Sequence, residues 1–501
     1  MNPSLLPLLF IPLLFFSAAA AADQSFISLI VSTKGLNFTK NLLIQEAVSS
    51  LTPLSIPDIA AVDKIPFLGH VDFFLTNITI LGIDVEESWI EPGETGVAIV
   101  VSGGRVRVGL GWRWVWTGGW LLPVEVEDQG TADVEVQGLQ VGLTLGLENQ
   151  EGSLKLSLME CGCFVDDITI KLDGGTSWLY QGLLDAFKDQ IGSAVENAIT
   201  KKLKEGIVKL DSLLQNLPVE IPVDDVAYVN AAFANDPVLS KSSIEFEING
   251  LFTSREQKSP SNNYQKRLQT FSCKDPSKML GIAVEEAVFS SAANTYFSAG
   301  YMHWMVDKIP DQSLMNTAGW RFIIPQLYKK YPNDDMKLNI SLASAPVIQV
   351  LQHNVELTVY ADLVIDVLEA GEAIPVICIL LEIRATGSVR IVGNNMAGNV
   401  KLDDFTMSLE WSRIGNLRMG LIQPVVRTVI QTVILPYANS RLGKGFPLPI
   451  IHGFTLQDAE ISCTDSSIVV CSDVSYNKTL QMKYSDLARL GRCPESQETK
   501  L

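Results

Sequence analysis

The sequence predicts an α+β fold in which one architecture, a twisted antiparallel sheet packed along a long helix, is built twice. Three observations predict it: an amphipathic helix pattern between residues 176 and 222, a second between 422 and 449, and alternating strand-like sequence ahead of each. Both helix patterns end in a segment with two prolines, which cannot continue a helix. A chain of 501 residues is long enough to bury two sizeable cores, so two domains are expected.

The N-terminus is typical of a secretory signal peptide, assigned to residues 1–22. Residues 5–16 are almost continuously apolar, residues 17–22 are small, and Asp23 would begin the mature chain. The apolar run is shorter than a bilayer span, which disfavours the alternative of a signal anchor. The protein is therefore expected to be secreted and extracellular.

An N-terminal domain is predicted over residues 23–252. Its first helix covers residues 36–51, and Pro53 ends it. Residues 70–170 alternate in short runs separated by Gly or Asn, which is typical of antiparallel strands. The apolar face of the long helix that follows comprises Leu184, Phe187, Ile191, Val195 and Ala198.

The polar stretch 253–278 is predicted to be a linker to a C-terminal domain over residues 279–480, with a polar tail at 481–501. The second domain repeats the order of the first: a helix from about Ile282 to Trp304, strands to about Glu410, and a second long helix. Val425 and Val429 lie on the apolar face of that helix. Gln423, Pro424 and Arg427 interrupt it, so no membrane span is expected there. Two strands, Phe454–Ile461 and Ser467–Val474, end the domain.

Composition limits the possible partners. The formal net charge is −18, so no nucleic-acid partner is expected without a local basic patch. Four glycosylation sequons agree with secretion, at Asn37, Asn77, Asn339 and Asn477. The seven cysteines leave at least one without an intramolecular partner. A turn at Asp465-Ser466 would place Cys463 opposite Ile468, which disfavours a Cys463–Cys471 pair.

A twisted sheet that curls around its helix need not fill the space between them, and an elongated apolar chamber can remain. Such a chamber suits acyl chains. Pattern alone favours the alternative, a fully packed α+β core.

The order of these elements resembles the family of bactericidal/permeability-increasing protein and lipopolysaccharide-binding protein, which includes plasma lipid-transfer proteins. Eight short segments in the right order carry the resemblance: Lys34-Gly35-Leu36, Ser55-Ile56-Pro57-Asp58, Trp178-Leu179, Leu217-Pro218-Val219, Pro325–Pro332, Met336–Ile340, Gly398–Asp403 and Lys444–Pro449. The resemblance implies a boomerang of two barrel-like halves joined by a central β-sheet. It also implies a phospholipid in each apolar pocket, and a tip of the N-terminal half that meets bacterial lipopolysaccharide.

Two departures separate this chain from the animal members. Animal members tie a strand near the position of Cys163 to the long helix by a disulfide, but residues 178–216 contain no cysteine. The divergent pattern is similar to plant members. The second departure is the tip, where antibacterial animal members carry lysines and this chain carries tryptophans and arginines.

Tryptophans and arginines alternate over residues 105–120. In a strand, Trp112, Trp114 and Trp116 share one face, Arg113 lies on the other, and Arg105 and Arg107 lie together. Such a cluster suits insertion at a lipid–water interface with phosphates held by arginine. The equally weighted alternative is that the tryptophans pack against the sheet. A second basic cluster indicates a solvated helix face rather than a binding site: Lys201, Lys202, Lys204 and Lys209.

No catalytic constellation, metal site or cofactor motif is evident. The four histidines form no His-Glu-x-x-His motif, and nucleophile-elbow, P-loop and dinucleotide signatures do not occur. The carboxylate pairs at 166–167, 224–225 and 334–335 are adjacent in sequence and would face opposite ways on a strand. The protein is expected not to be an enzyme.

The leading hypothesis is a secreted protein that binds lipopolysaccharide, phospholipids and the bacterial outer membrane or another lipid surface in antibacterial defence. The alternative is phospholipid transfer without a dedicated bacterial ligand. The sequence identifies no receptor partner.

Overall fold

A computed structural model describes residues 24–65, 69–118, 124–173, 187–254, 264, 271–309, 312–451 and 453–477. The predicted signal peptide, the start of the first long helix with Leu184, most of the predicted linker, Cys493 and the polar tail lie outside these residues.

The first half contains a short helix, a run of strands and one long helix. In chain order these are β1 (Ile27–Ser32), α1 (Thr33–Leu51), β2 (Leu54–Ser55), β3 (Ile59–Ile65), β4 (Gly69–Asp84), β5 (Glu87–Gly93), β6 (Gly96–Gly118), β7 (Val124–Gln150), β8 (Ser153–Phe164), β9 (Asp167–Asp173) and α2 (Lys188–Gln215).

Eight of these strands form one antiparallel sheet. Its main order is β2-β4-β6-β7-β8, with β3 on β4, β5 on β6 and β9 on β7. The apolar face of α2 packs on this sheet, so that Val195 and Ile199 are buried together with Ile80, Val106 and Val136. The expected sheet along a long helix is confirmed for the first half.

The strands are longer than the sequence predicts. Gly103 and Gly138, which were expected to separate short strands, lie within β6 and β7, where the β6–β7 register shifts. Their φ angles are +70° and +67°. Glycine adopts positive φ at little cost, so each strand bends through a bulge and continues instead of turning back.

The rest of the chain completes the central region and the second half. In chain order the elements are β10 (Glu220–Pro222), β11 (Ala227–Asn230), β12 (Val238–Ser240), β13 (Ser243–Ile248), β14 (Phe252–Ser254), β15 (Leu280–Glu285), α3 (Glu286–Ser298), β16 (His303–Val306), α4 (Pro325–Lys330), β17 (Met336–Leu342), β18 (Val347–Val350), β19 (Val355–Glu369), β20 (Glu372–Val392), β21 (Asn395–Ser412), α5 (Met419–Val429), α6 (Leu435–Leu442), β22 (Phe446–Pro447), β23 (Phe454–Thr464) and β24 (Ser467–Tyr476). A π-helical turn, Ile430–Ile434, joins α5 to α6, and two 3₁₀ turns, Gln312–Met315 and Thr317–Trp320, precede α4.

A six-stranded central sheet joins the two halves. Its order is β12-β13-β1-β15-β24-β23, so three strands of the first half lie beside three strands of the second, and hydrogen bonding continues from β1 to β15. Ile27 of β1 lies opposite Ile248 on one side and Val284 on the other. The expected junction by a central β-sheet is confirmed.

One disulfide, Cys273–Cys471, ties the segment before β15 to β24. Cys463 lies opposite Ile468, as the expected turn required.

The second half repeats the arrangement with seven strands. The main order of its sheet is β16-β17-β19-β20-β21-β22, with β18 on β19, and α5 packs on its inner face. The helix predicted from about Ile282 to Trp304 is corrected, because residues 280–285 form β15 and the helix covers only Glu286–Ser298. Strand β15 is paired with β1 on one edge and with β24 on the other, and its side chains from Leu280 to Val284 are buried. From sequence alone, a continuous apolar run of this kind can be either a buried strand or a buried helix.

The continuous helical segment Met419–Leu442 is, by length and composition, long and apolar enough to cross a membrane, with mean hydropathy 1.3 over its most apolar window. Gln423, Pro424 and Arg427 were expected to rule out a membrane span here, but by composition they do not. In the structure its residues Ile422, Val426 and Val429 are buried in the core of the second half, which is the position of a core helix.

Candidate functional site

The tryptophans of β6 face the inside of the N-terminal sheet. Trp112 is 4% exposed, and its indole Nε1 donates a hydrogen bond to the backbone oxygen of Thr131 at 3.1 Å. Trp114 and Trp116 are half-buried and pack against the same core. Strand alternation predicts that the three share one face, and they do, but that face is the inner one. Trp112 therefore packs against the sheet, which was the alternative expectation, and is not an exposed side chain.

The arginines of β6 are exposed on the opposite, outer face. A guanidinium nitrogen of Arg105 lies 2.8 Å from Oε1 of Glu86, and Arg113 forms an ion pair with Glu127. Arg107 forms no ion pair with any residue that the structure describes. Trp112, Trp114 and Trp116 are thus separated from the arginines of β6 by the thickness of the sheet, while Trp120 lies outside the described residues.

Strand β7 brings carboxylates to the same outer face. Glu125, Glu127, Asp133 and Glu135 occupy alternate positions that lie across from the outward-facing positions of β6. An anionic ligand approaching the arginines would therefore meet repulsive groups as well as attractive ones. The outer face of the N-terminal tip is electrostatically mixed.

The helix residues predicted to line a lipid pocket in the first half lie between α2 and its sheet. Phe187, Ile191 and Val195 are each at most 5% exposed. The ring of Phe187 contacts that of Phe73, with ring centres 5.5 Å apart. Any acyl chain held in this half would lie against these side chains.

The corresponding residues of the second half are buried in the same way. Val425 and Val429 of α5 are 8% and 2% exposed and belong to one cluster with the inner face of the seven-stranded sheet. Arg427, on the opposite side of α5, reaches Asp404 at 3.6 Å. The two halves therefore present equivalent apolar helix faces to the inside.

Helix α2 is fastened to the edge strand β8 by two of its carboxylates. Glu196 Oε1 accepts a hydrogen bond from the backbone N–H of Val165 at 2.9 Å, and Asp211 Oδ1 accepts one from that of Leu156 at 2.8 Å. These contacts lie where animal relatives are expected to carry a disulfide. Cys163 is half-buried beside them, and burial, with Glu196 and Cys161 nearby, raises the pKa of its thiol to about 12.

Three lysines of the basic cluster of α2 line a groove of about 780 Å³ on that helix: Lys201, Lys204 and Lys209. Lys201 and Lys204 are exposed, and Lys202 forms an ion pair with Glu205 at 2.8 Å. The positions agree with the expected solvated helix face.

A polar cleft of about 730 Å³ lies beside the central sheet. Its lining includes Lys274, His353, Ser388, Cys463 and Asp465. Neither this cleft nor the groove on α2 is lined by the buried helix residues that are expected to meet acyl chains.

One group of side chains has a composition that could hold a metal ion. Within the described residues, ligand atoms of Asp362, Cys378 and Glu410 lie within 4.8 Å of one another on neighbouring strands. The Cys378 thiol donates a hydrogen bond to Glu410 at 3.0 Å. Burial, together with the neighbouring carboxylates of Glu410 and Asp362, raises the pKa of the Cys378 thiol to about 12, so without a metal ion the thiol keeps its proton and donates it in the hydrogen bond to Glu410.

The predicted carboxylate pairs have local structural roles where their contacts are described. Asp224 accepts hydrogen bonds from the backbone N–H groups of Val226 and Ala227 and, at 2.8 Å, from the hydroxyl of Tyr296. Asp335 accepts one from the side chain of Asn316 at 2.9 Å. These contacts stabilise the turn at Asp224 and connect segments that are distant in sequence.

Comparison with known proteins places the chain among lipid-binding proteins. Residues 35–217 match the model of the LBP / BPI / CETP family, N-terminal domain, and residues 222–476 match that of the C-terminal domain.

Two curated relatives cover nearly the whole chain. A putative BPI/LBP family protein of Arabidopsis thaliana is 56% identical, covering 93% of this chain and 96% of the relative. A bactericidal permeability-increasing protein of Sebastes schlegelii is 26% identical, covering 88% of this chain and 93% of the relative. A crystal structure of lipopolysaccharide binding protein shares the fold, with a TM-score of 0.61 at 20% identity, covering 90% of this chain and 99% of that chain.

Proposed function

This chain belongs to the LBP / BPI / CETP family, and from that membership we propose that it is a secreted protein that binds the lipid A portion of bacterial lipopolysaccharide in antibacterial defence. The observation that carries the proposal is the pair of long helices, each with its apolar face turned towards the inside of its own curved sheet. Burying four carbons of an acyl chain against such a face contributes about 3 kcal/mol. The action proposed is binding, without a chemical step.

Secretion is proposed from the apolar segment at residues 1–22 and is supported by the Cys273–Cys471 disulfide, since such bonds persist in oxidising compartments. Glycosylation is proposed first at Asn77 and Asn477, which are exposed, because a glycan needs solvent. Asn37 and Asn339 are half-buried in α1 and β17 and are weaker acceptor sites.

We propose the domain boundaries that the sequence suggested: an N-terminal domain over residues 23–252, a linker over 253–278 and a C-terminal domain over 279–480. Arg105, Arg107 and Arg113 would attract head-group phosphates at the outer face of the first domain. The tryptophans of β6 would contribute apolar surface from inside the sheet, near Phe187.

Phospholipid transfer is the second candidate, and one observation favours it. The ion pairs Arg105–Glu86 and Arg113–Glu127, together with a net charge of −18, weaken the attraction of the tip for a highly anionic ligand. Two apolar interiors would serve equally well to carry phospholipid between membranes.

Titration of the purified protein with fluorescently labelled lipopolysaccharide, alongside a vesicle-to-vesicle phospholipid transfer assay, separates the two candidates. Lipopolysaccharide recognition by the tip requires saturable binding that weakens in Arg105→Ala/Arg107→Ala. The matched control, Lys201→Ala/Lys204→Ala, removes the same charge from the solvent face of α2 and should leave binding unchanged. Transfer without lipopolysaccharide affinity would establish the second candidate, and the absence of both activities would refute lipid binding.

A further inference from the structure

The far end of the C-terminal sheet carries an exposed surface that combines aromatic and basic side chains. Strand β21 begins beside the central sheet, where Met396 lies in the central core cluster, and runs for 18 residues to Ser412. At roughly 3.3 Å per residue, the strand can carry its last residue at most about 55 Å away from the central sheet. The segments gathered around that end are therefore remote from the junction between the halves.

Three segments meet at this end: a turn at residues 321–323, helix α4, and the loop that follows β21. The side-chain amide of Gln326 donates to the backbone oxygen of Asn416, and Lys330 Nζ donates to that of Arg413, each at 3.4 Å. These two contacts hold α4 against the loop. The cations on the helix and on the loop consequently belong to one surface.

Phe322 is the most exposed large apolar side chain in the described part of the molecule, at 77%. The residues that flank its turn are anchored: Trp320 and Ile324 are 2% and 1% exposed, and the indole of Trp320 donates to the backbone oxygen of Leu314 at 2.8 Å. The Arg321 guanidinium carbon lies 4.6 Å from the centre of the Phe322 ring. A rigid turn thus presents an aromatic ring and a cation together to solvent.

Five cations lie on these three segments, and we call them, with Phe322, the distal patch: Arg321, Lys329, Lys330, Arg413 and Arg418. All five are exposed. None forms an ion pair within the ranges that the structure describes, unlike Arg105 and Arg113 at the N-terminal tip. In a chain of net charge −18, five unneutralised cations in one place form a local field of opposite sign.

We propose that the distal patch docks the protein onto the surface of an anionic phospholipid bilayer. Phe322 enters the interface while the surrounding lysines and arginines contact lipid phosphates, which is the pairing of aromatic and basic groups that interfacial binding requires. Trp411 and Leu421, 37% and 46% exposed, extend the apolar surface beside Arg413 and Arg418. This activity goes beyond the proposed function, because neither apolar interior and no residue of the N-terminal tip takes part.

Flotation of the full-length protein with vesicles tests the proposal. Binding to phosphatidylcholine vesicles containing phosphatidylserine is compared with binding to phosphatidylcholine alone. Lys329→Gln/Lys330→Gln should weaken binding to the anionic vesicles about 25-fold, at about fivefold for each charge. Phe322→Ala should weaken it about tenfold. Lys201→Gln/Lys204→Gln and Phe164→Ala are the matched controls, since they remove two exposed cations and a 56% exposed ring elsewhere.

Equal losses in the distal variants and their controls would overturn the proposal, as would equal binding to both kinds of vesicle. Phe322→Trp supplies a second readout that does not depend on affinity: its difference fluorescence against the unmodified protein should shift to shorter wavelength on anionic vesicles. An unshifted spectrum for bound protein would exclude insertion of this position. Lipopolysaccharide titration remains a separate measurement, so failure of docking would leave the proposed function standing.

Discussion

Glu196 of α2 accepts a hydrogen bond from the backbone N–H of Val165, 2.9 Å away, just beyond the end of β8. Asp211, four turns further along the same helix, does the same for Leu156 at 2.8 Å. Strand β8 is the outer strand of its sheet, so these amides would otherwise lack a partner on the helix side. Two carboxylates of α2 therefore attach the helix to the edge of the sheet through backbone hydrogen bonds.

Replacing either carboxylate with alanine should lower stability. Glu196→Ala and Asp211→Ala should each reduce the free energy of unfolding by about 1–3 kcal/mol, because a hydrogen bond to a charged acceptor is lost and a backbone amide is left unsatisfied. Urea unfolding followed by circular dichroism measures the change. Glu205→Ala is the control, since this half-exposed residue pairs with Lys202 on the same helix. An effect no larger than that of the control would show that these hydrogen bonds do not hold α2 in place.

Truncation of the apolar face of α2 should cost more. Ile191 is 1% exposed in the N-terminal core, and Ile191→Ala should lower the free energy of unfolding by about 2–5 kcal/mol through lost burial and a cavity. Val208 lies on the same helix but is 69% exposed, so Val208→Ala should change it by less than about 0.5 kcal/mol. Equal effects of the two substitutions in urea unfolding would contradict the assignment of the inner face.

The disulfide should stabilise the junction between the halves. Cys273 and Cys471 are 198 positions apart, and closing so long a loop restricts the unfolded chain. Cys273→Ser/Cys471→Ser should reduce the free energy of unfolding by about 2–5 kcal/mol. Cys161→Ser, which removes a free thiol, is the comparison. If adding a reductant shifted the unfolding midpoint of the double variant as much as that of the unmodified protein, the crosslink would not be the cause.

Asp366 should make stability depend on pH. It is 7% exposed, and burial raises its pKa, with Lys337 offsetting part of the effect. The folded state therefore holds this proton more tightly than the unfolded chain, whose Asp pKa is about 3.9. Stability from this group is present below pH 3.9 and is lost as the pH rises through the higher folded value.

Asp366→Asn should remove that loss. The stability difference between the variant and the unmodified protein should grow with pH by about 1.4 kcal/mol for each unit of the shift and then reach a plateau. Urea midpoints between pH 3.5 and 7.5 provide the measurement. A difference that stays constant over this range would show that Asp366 titrates alike in both states.

Much of the fold follows from short-range periodicity in the sequence. The apolar face of α2, including Ile191 and Val195, repeats at the helical period, and the alternation of Trp112 and Arg113 fixes which residues share a strand face. Periodicity does not indicate which of the two faces of β6 is buried. The packing of α2 on the N-terminal sheet decides this, and it places Trp112 on the buried inner face.

Contacts between residues that are far apart in the chain could not be predicted from the sequence. The Cys273–Cys471 pair exists because β24 lies beside β15, and no local pattern fixes that neighbour. The contact of Glu196 with Val165 depends likewise on the docking of a helix on a sheet edge. Of the distal patch, the sequence shows only the adjacent pair Arg321-Phe322. The other cations join this pair because a hydrogen bond from Lys330 holds Arg413 beside α4.

The place of β1 in the central sheet imposes an order on biosynthesis. Both of its edges are covered by strands made much later, β13 and β15, and β15 is itself covered by β24, among the last parts of the chain to be synthesised. The edges of β1 therefore stay uncovered until β13 and β15 have been made, and the outer edge of β15 stays uncovered until nearly the whole polypeptide has emerged. Contacts so far apart in sequence form slowly, and uncovered strand edges invite pairing between chains. Neither half alone contains all the strands of the central sheet, so we expect the two halves to fold as one cooperative unit.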